Sequence, residues 1–431
     1  MKGIVLLRKG MWALCLAAVL LLPASCHKEK KPPRNVLLLY SAGFNSLSGY
    51  LLQNLKSLEE GYLPEKTKYG PDDILLVYSR QPVQYGVFTT KTPSYLIRFY
   101  ADANGRPCRD TLRTWDKECV ASSRETLEEV FSYVKQEFPA QSYGAIFSSH
   151  ATGWLPATYY NDPARYEREH ASEVNHAAPS VSLRSRRLPS EEDFPPIPDF
   201  PPVKSMGQDN YPSESLEIEL QDFVQAFPVK LDYLLIDACL AGGVEVAYSL
   251  RGKTDIVGFS QTEVLAEGLN YTTLTRHLLQ EKPDPVAVCR DYYEYYDAQS
   301  GVYRSATISV VDTRKMEPLA KVCKSLFAKY RTEMATMDAS SVQGYFRSNR
   351  HYYYDLEDIL LHAGIDVYET SELQSALEQC LLYKAATPQF ISFEIRVFSG
   401  FSMYLPSMGT PLLDKHYRTN MAWNQATLLV E

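Results

Sequence analysis

Two residues in this sequence have the type and setting for covalent chemistry, Cys239 and His150. The run Leu231-Asp232-Tyr233-Leu234-Leu235-Ile236-Asp237 reads as a fully buried strand, followed by Ala238-Cys239-Leu240-Ala241 and then Gly242-Gly243, which open a helical segment from Val244 to Tyr248. Cys239 is thereby set at the carboxyl end of a strand, where open α/β sheets bind ligands, and near a helix N-terminus, which favours a thiolate. The stretch Tyr143-Gly144-Ala145-Ile146-Phe147-Ser148-Ser149-His150-Ala151-Thr152-Gly153-Trp154 has the same grammar of apolar strand, proton-transfer residue and Thr-Gly turn. A cysteine alone is more often core, and a loop histidine alone is more often solvated. Together, two strand ends offering a thiol and an imidazole meet the needs of a thiol nucleophile with a separate general acid/base.

Ser148-Ser149-His150-Ala151-Thr152-Gly153-Trp154 and Asp237-Ala238-Cys239-Leu240 resemble the His and Cys motifs of the clostripain-like cysteine peptidases, relatives of caspases, gingipains and legumain. Further resemblance lies in Leu37 to Leu47, Ala306 to Asp312 and Tyr354 to Asp358, so the likeness runs from about residue 35 to the end. It implies a caspase-like α/β fold, a mostly parallel sheet flanked by helices on both faces in a three-layer sandwich. It also implies Cys239 as nucleophile, His150 as proton carrier, and the backbone N–H groups of Cys239 and Ala151 as the oxyanion hole. Asp237 shares a strand face with Cys239 by the two-residue repeat. The resemblance makes it a lining residue of a pocket for Arg or Lys, and Glu267 lies where a second acidic residue could stand. A pocket carboxylate selects a guanidinium through a bidentate, charge-assisted contact. Glu263 reads as an exposed loop residue. The sequence departs from the family at Ala151, where Gly is usual, and at Phe44-Asn45-Ser46, where Asp-Asn-Asn is usual.

The elements that must position these residues alternate strand and helix. Val36 to Tyr40, Ile74 to Tyr78, Tyr95 to Tyr100 and Asp255 to Phe259 read as strands, as does Ala306 to Val311. Helical spacing appears in Leu47 to Leu58, in Ser123 to Phe138 with Leu127, Val130, Phe131 and Val134 on one face, and in Leu216 to Ala226. It recurs in Asp284 to Tyr296, Met316 to Met334, Leu356 to Leu361 and Leu373 to Tyr383. Phe401 to Leu405 reads as a late strand, which the resemblance places in the same sheet or its extension. The alternation predicts a largely parallel sheet with crossover helices.

Residues 160–210 break the rhythm with seven prolines from Pro179 to Pro202, and read as a disordered insertion between the His and Cys strands. In the family this segment often carries a self-cleavage site; Arg184, Arg186 and Arg187 would suit an enzyme preferring basic residues, and a solvated basic patch is the equal alternative. At the N-terminus, Lys2, Arg8 and Lys9 precede the apolar Met11 to Leu22, and Pro23-Ala24-Ser25 places small residues before Cys26. That pattern reads as a bacterial lipoprotein signal over residues 1–26 with Cys26 lipidated, followed by a tether at 27–34 and one peptidase domain at 35–431. An ordinary secretory signal is the alternative.

Of the 431 residues 45% are hydrophobic, enough for a sizeable core, and the net charge of −8 argues against a nucleic-acid binder. Among the cysteines, Cys108 and Cys119 read as a disulfide pair in an oxidising compartment, and Cys289, Cys323 and Cys380 read as core. No spacing resembles a metal site. Some relatives use calcium, but no loop here has EF-hand spacing, so the chemistry is expected to need no cofactor, with calcium left open. The expectation is a monomeric, lipid-anchored envelope endopeptidase, on the outer membrane or periplasmic face, cutting proteins or peptides after Arg or Lys. The alternatives are a peptidase-fold lipoprotein that binds basic peptides without turnover, and a transpeptidase.

Overall fold

The computed structural model describes residues 33–42, 47–66, 73–80, 83–85, 88–149, 152–174, 208–210, 215–347 and 351–431. Its centre is a nine-stranded sheet made of β1 (Asn35–Ala42), β2 (Asp73–Arg80), β3 (Ser94–Ala101), β4 (Pro107–Trp115), β5 (Ser142–Ser148), β6 (Leu231–Asp237), β7 (Thr254–Phe259), β8 (Thr307–Asp312) and β9 (Leu381–Ala386). The spatial order is β9-β8-β7-β6-β5-β1-β2-β3-β4. Strands β2, β1, β5, β6 and β7 pair in parallel. The pairs added at the two edges are antiparallel.

Strands β1, β2 and β8 are buried along their whole length. Such burial on both faces explains why they read as continuous apolar runs rather than alternating ones. Helices cover the faces: α1 (Ser48–Glu60), α2 (Arg124–Glu137), α3 (Pro163–Glu169), α4 (Leu220–Gln225), α5 (Val244–Leu250), α6 (Pro285–Asp297), α7 (Met316–Lys329), α8 (Leu356–Ala363), α9 (Val367–Cys380), α10 (Pro411–Asn420) and α11 (Ala422–Thr427). Helix α2 starts where Ser123 Oγ accepts from the Thr126 N–H, and it buries Leu127, Val130, Phe131 and Val134, the stripe read from the sequence. In α6, Tyr292 and Tyr296 pack inward four residues apart while Tyr295 faces out, so its tyrosines are a packing stripe. This caspase-like, mostly parallel arrangement is the one expected.

Several local expectations change. Cys108 and Cys119 are free thiols. Cys108 begins β4, an extended strand, and seven residues at about 3.3 Å each carry the chain roughly 23 Å before the turn that holds Cys119. A disulfide tolerates less than about 7 Å between Cα atoms, and Cys119 Sγ instead lies 3.3 Å from Thr126 Oγ1. The late strand, Ser402–Met403, pairs with Tyr354–Asp355 outside the main sheet. The helix expected to run to Tyr383 stops at Cys380, and Leu381 to Ala386 becomes the edge strand β9. Helix α4 begins at Leu220, after a short strand at Ser215–Glu217. The helix expected to reach Met334 breaks at Tyr330, between α7 and Arg331–Thr336. The start of the segment expected to lack structure is ordered, since Asp162 caps α3 and Glu167 accepts from Thr410 Oγ1 on the residue before α10. Cys26, Arg184, Arg186 and Arg187 lie outside the described residues.

Cys289, Cys323 and Cys380 are buried in the main core, and burial pushes their thiols up, that of Cys380 to about 12. A chain starting after Cys26 should therefore titrate six thiols in denaturant without reductant, and its Tm should not respond to reductant. A count of four with a reductant-sensitive Tm would restore the Cys108–Cys119 pair.

Candidate active site

The site grows from the end of β6. Beyond Asp237 the chain reverses through Ala238-Cys239-Leu240, with Leu240 in the left-handed region at φ +56°. A non-glycine residue there is strained and is kept only where its surroundings over-determine it. Here the reversed strand is held against the loop after β7, with the Leu240 N–H donating to Thr262 O at 2.9 Å and the Gly242 N–H to Ser260 O at 2.7 Å. The two segments thus run antiparallel just past the parallel strands that lead into them. Gln261 Nε2 locks the loop from below, donating to Gly400 O at 2.8 Å and Ser309 Oγ at 3.1 Å. Thr307 Oγ1 accepts from the Gln261 and Thr262 amides at 3.1 and 3.0 Å.

Cys239 is 1% exposed. Its sulfur accepts a hydrogen bond from the Val264 N–H at 3.1 Å. Helix α5 starts five residues later, at Val244, so the group facing the sulfur is the Val264 amide rather than a helix N-terminus as the sequence suggests. Asp237 is also buried, and its Oδ2 accepts from Tyr271 OH at 2.6 Å and Ser148 Oγ at 3.0 Å. Burial, and after it the same carboxylate, raises the Tyr271 phenol well above its ordinary value.

His150 and Ala151 lie outside the described residues, but both flanks are described and well anchored. Ser148 pairs in register with Asp237, and Ser149 Oγ donates to Ala42 O at 3.0 Å. On the far side, Tyr353 OH donates to Thr152 O at 2.7 Å. Gly153 sits at φ +62°, and a Cβ there would lie 2.6 Å from Leu240 O, so the turn after His150 rests on the carbonyl that follows Cys239. Only glycine combines that backbone angle with that approach. Trp154 is buried in a cluster with the rings of Tyr404 and Tyr417, which also touch each other. Asn420 donates to His416 Nδ1 at 2.9 Å, which leaves Nε2–H to donate to Trp154 O at 3.2 Å. The tertiary structure thus brings the two sequence motifs together.

Glu267 is exposed on a turn closed by Gly268. Glu263 is not the exposed loop residue it reads as in the sequence. Its side chain is 12% exposed and both carboxylate oxygens are held by Arg347. Arg347, Tyr271, Val264 and Tyr353 carry no signal in the sequence, because each lies far along the chain from the residue it touches. The buried Glu245 is a further unread member: its Oε1 accepts from the Tyr404 N–H at 2.9 Å and Tyr417 OH at 2.7 Å, tying α5 to the segments around Trp154. Among the described residues, no three His, Cys, Asp or Glu side chains cluster as metal ligands.

The model of the clostripain family, Peptidase_C11, matches residues 199–428, more than half of the sequence. The chain belongs to the clostripain family. It is a cysteine-type endopeptidase by that membership, acting on peptide or protein substrates. The family match covers the Cys239 half, and similarity to solved structures extends over the His150 half. An inactive zymogen C11 protease from Parabacteroides distasonis is 25% identical with a TM-score of 0.69, over 92% of this chain and 99% of that one. A secreted C11 cysteine protease from Bacteroides thetaiotaomicron, in complex with an irreversible peptide inhibitor, is 22% identical with a TM-score of 0.69, over 91% and 98% of the two chains. A second structure of a secreted C11 protease from that organism is 20% identical with a TM-score of 0.67, over 92% and 99%. None of the curated proteins compared matches the sequence.

Two predictions test this clostripain-family site. Gly153→Ala should destabilise the fold by at least about 2 kcal/mol in urea unfolding, from the left-handed backbone and the contact with Leu240 O; an unchanged midpoint would contradict the packing. Burial raises the Glu245 carboxyl to about 7, so the folded chain holds a proton that the unfolded chain releases near 4.5. Its stabilisation is complete below pH 4.5 and lost as pH rises through about 7. His416, lowered to about 4 by burial, has the opposite sign, complete above 6.5 and lost as pH falls through about 4. The two overlap in the wild type, so the difference between Glu245→Gln and wild type is the informative quantity. It should shift in favour of the variant by about 3 kcal/mol between pH 4 and pH 8, and a difference independent of pH would remove this account of Glu245.

Proposed function

We propose that this chain is an exported, lipid-anchored peptidase of the cell envelope that cleaves after Arg or Lys, with Cys239 as nucleophile and His150 as proton carrier. The observation that carries the reading is the junction of the two turns: Ser148 and Asp237 are in register at the strand ends, and Gly153 rests against Leu240 O. This puts the segments bearing a thiol and an imidazole on adjacent strands of one sheet.

In the reaction the Cys239 thiolate attacks the scissile carbonyl carbon, and the carbonyl electron pair moves onto oxygen. The backbone N–H groups of Cys239 and Ala151 hold that oxyanion, an interaction whose loss elsewhere costs about 3–4 kcal/mol. As the C–N bond breaks, His150 protonates the leaving amine, leaving a thioester on Cys239. Water, giving a proton to His150, then adds to the thioester carbonyl, and the C–S bond breaks to release the carboxylic acid and restore the Cys239 thiolate beside a protonated His150. Asp237, oriented by Tyr271 and Ser148, is the carboxylate for the substrate's basic side chain, with Glu267 at the rim. The steps call on no cofactor.

The proposed anchor is lipid on Cys26 and the functional unit a monomer. No helix among the described residues is long and apolar enough to cross a membrane. Two of the similar solved proteins are secreted. The burial of Cys239 suits a precursor, and self-cleavage near Arg184, Arg186 and Arg187 would be the activating step.

The test uses the soluble chain from residue 27 with fluorogenic peptides ending in Arg, Lys, Asp or Leu. Release after Arg and Lys should fall at least a thousandfold in Cys239→Ala and His150→Ala, and the chain should divide near Arg184–Arg187 unless those arginines are replaced. No cleavage of any peptide, even after trypsin nicks that segment, would overturn the reading in favour of a binding lipoprotein, the role that Ala151 would suit.

A further inference from the structure

The residue that leads into the segment over the thiol is held in a largely buried ion pair. Val264 donates its N–H to Cys239 Sγ, and Val264, Leu265 and Ala266 are all buried. The residue before them, Glu263, has both carboxylate oxygens in the guanidinium fork of Arg347, with Arg347 Nη2 donating to Oε1 at 2.8 Å and Nε donating to Oε2. Two parallel donors on one carboxylate is the geometry by which a protein recognises an arginine.

Arg347 comes from a different part of the chain. It lies two residues beyond Tyr345, past the end of a hairpin stem that joins Tyr345 N to Tyr353 O and Asp355 N to Gln343 O, each at 2.8 Å. The stem is braced: Tyr345 OH lies 2.6 Å from Asp355 Oδ2 and 3.0 Å from Val397 O, and the Gln343 N–H donates to Asp358 Oδ2 at 2.6 Å. One hairpin therefore reaches both halves of the site, holding the His150 turn through Tyr353 and the cover of Cys239 through Arg347.

We propose that Glu263 is a further acidic contact for the substrate's basic side chain, beside Asp237 and Glu267, and that Arg347 occupies it in the resting chain, latching the Glu263–Ala266 segment over Cys239 until a substrate guanidinium or ammonium replaces it. The inference rests on the reading that the substrate is basic. Exchanging one guanidinium for another leaves the half-buried Glu263 carboxylate paired throughout. A neutral side chain would leave it unpaired, which is a penalty against the wrong substrate rather than a gain for the right one.

The experiment compares the chain from residue 27 with Arg347→Ala, Arg347→Lys and Glu263→Gln. Its first arm is the rate of Cys239 alkylation by iodoacetamide, resolved from the other thiols by peptide mass mapping and independent of turnover. Arg347→Ala and Glu263→Gln should label Cys239 at least tenfold faster than wild type, with Arg347→Lys between and Cys289 and Cys323 still protected. The second arm is kcat and KM on matched peptides ending in Arg or norleucine. Glu263→Gln should raise KM for the Arg peptide at least tenfold and lower that for norleucine, which no longer leaves a carboxylate unpaired, and Arg347→Ala should lower the Arg KM severalfold. Unchanged alkylation in all three variants overturns the latch, and an unchanged Arg KM in Glu263→Gln overturns the contact. Labelling that spreads to Cys289 and Cys323 assigns the pair to fold stability and overturns the proposal as well. Failure of the basic-substrate reading has a separate signature, a wild type without preference for Arg over norleucine, while the alkylation arm still reports on the latch.

Discussion

The contact between Gly153 and the Leu240 carbonyl is the constraint on which the site depends. Leu240 accepts a left-handed backbone in order to turn the chain after Cys239, and that turn directs its carbonyl toward the segment following His150. A side chain at residue 153 would hold the two turns apart. The hydrogen bonds from Leu240 and Gly242 to the β7 loop hold the strained turn in place, so the strain is supported by the sheet beneath it rather than by local sequence preference.

The remainder of the structure can be understood as support for that junction. Parallel strands β5 and β6 end level with one another, which puts Ser148 beside Asp237. The C-terminal segments then wrap the far side: Tyr404, Tyr417 and His416 enclose Trp154, and Glu245 joins them to α5 through two hydrogen bonds to one carboxylate oxygen. A buried carboxyl with a raised pKa in this position makes the packing behind the site responsive to pH, although the group is not called on in the reaction. The Gln343–Asp355 hairpin closes the front, touching Thr152 on one side and Glu263 on the other. Residues over 200 positions apart thus act on one small volume, the usual consequence of building a site on loops at the ends of parallel strands.

The strands were the most legible part of the fold, and the reason is physical. A parallel strand buried on both faces has to be apolar throughout, so β1, β2 and β6 announce themselves. Strand β4 does not, because Arg109, Asp110 and Arg113 face water at the sheet edge and interrupt the pattern. Strand β9 was hidden for another reason: Leu381, Leu382 and Tyr383 continue the helical spacing of α9, and pairing with β8 alone ends the helix at Cys380. The supposed Cys108–Cys119 bridge failed likewise, since closeness in sequence says nothing of distance once an extended strand intervenes.

By itself the sequence determined the chemistry available to this protein: a thiol and an imidazole at the ends of two apolar strands, an acid two residues before the thiol, and a Thr-Gly turn after the histidine. Those are local facts, set by residue type and by periodicities of two and 3.6. Only the tertiary structure decided that Gly153 meets Leu240, that Tyr271 and Ser148 engage Asp237, that the Val264 amide rather than a helix end faces the sulfur, and that Arg347 grips Glu263 across 84 residues. Each of these joins positions with no shared local pattern. Their meeting is fixed by which strands pair and where the connecting loops can reach, which is a property of the whole folded chain.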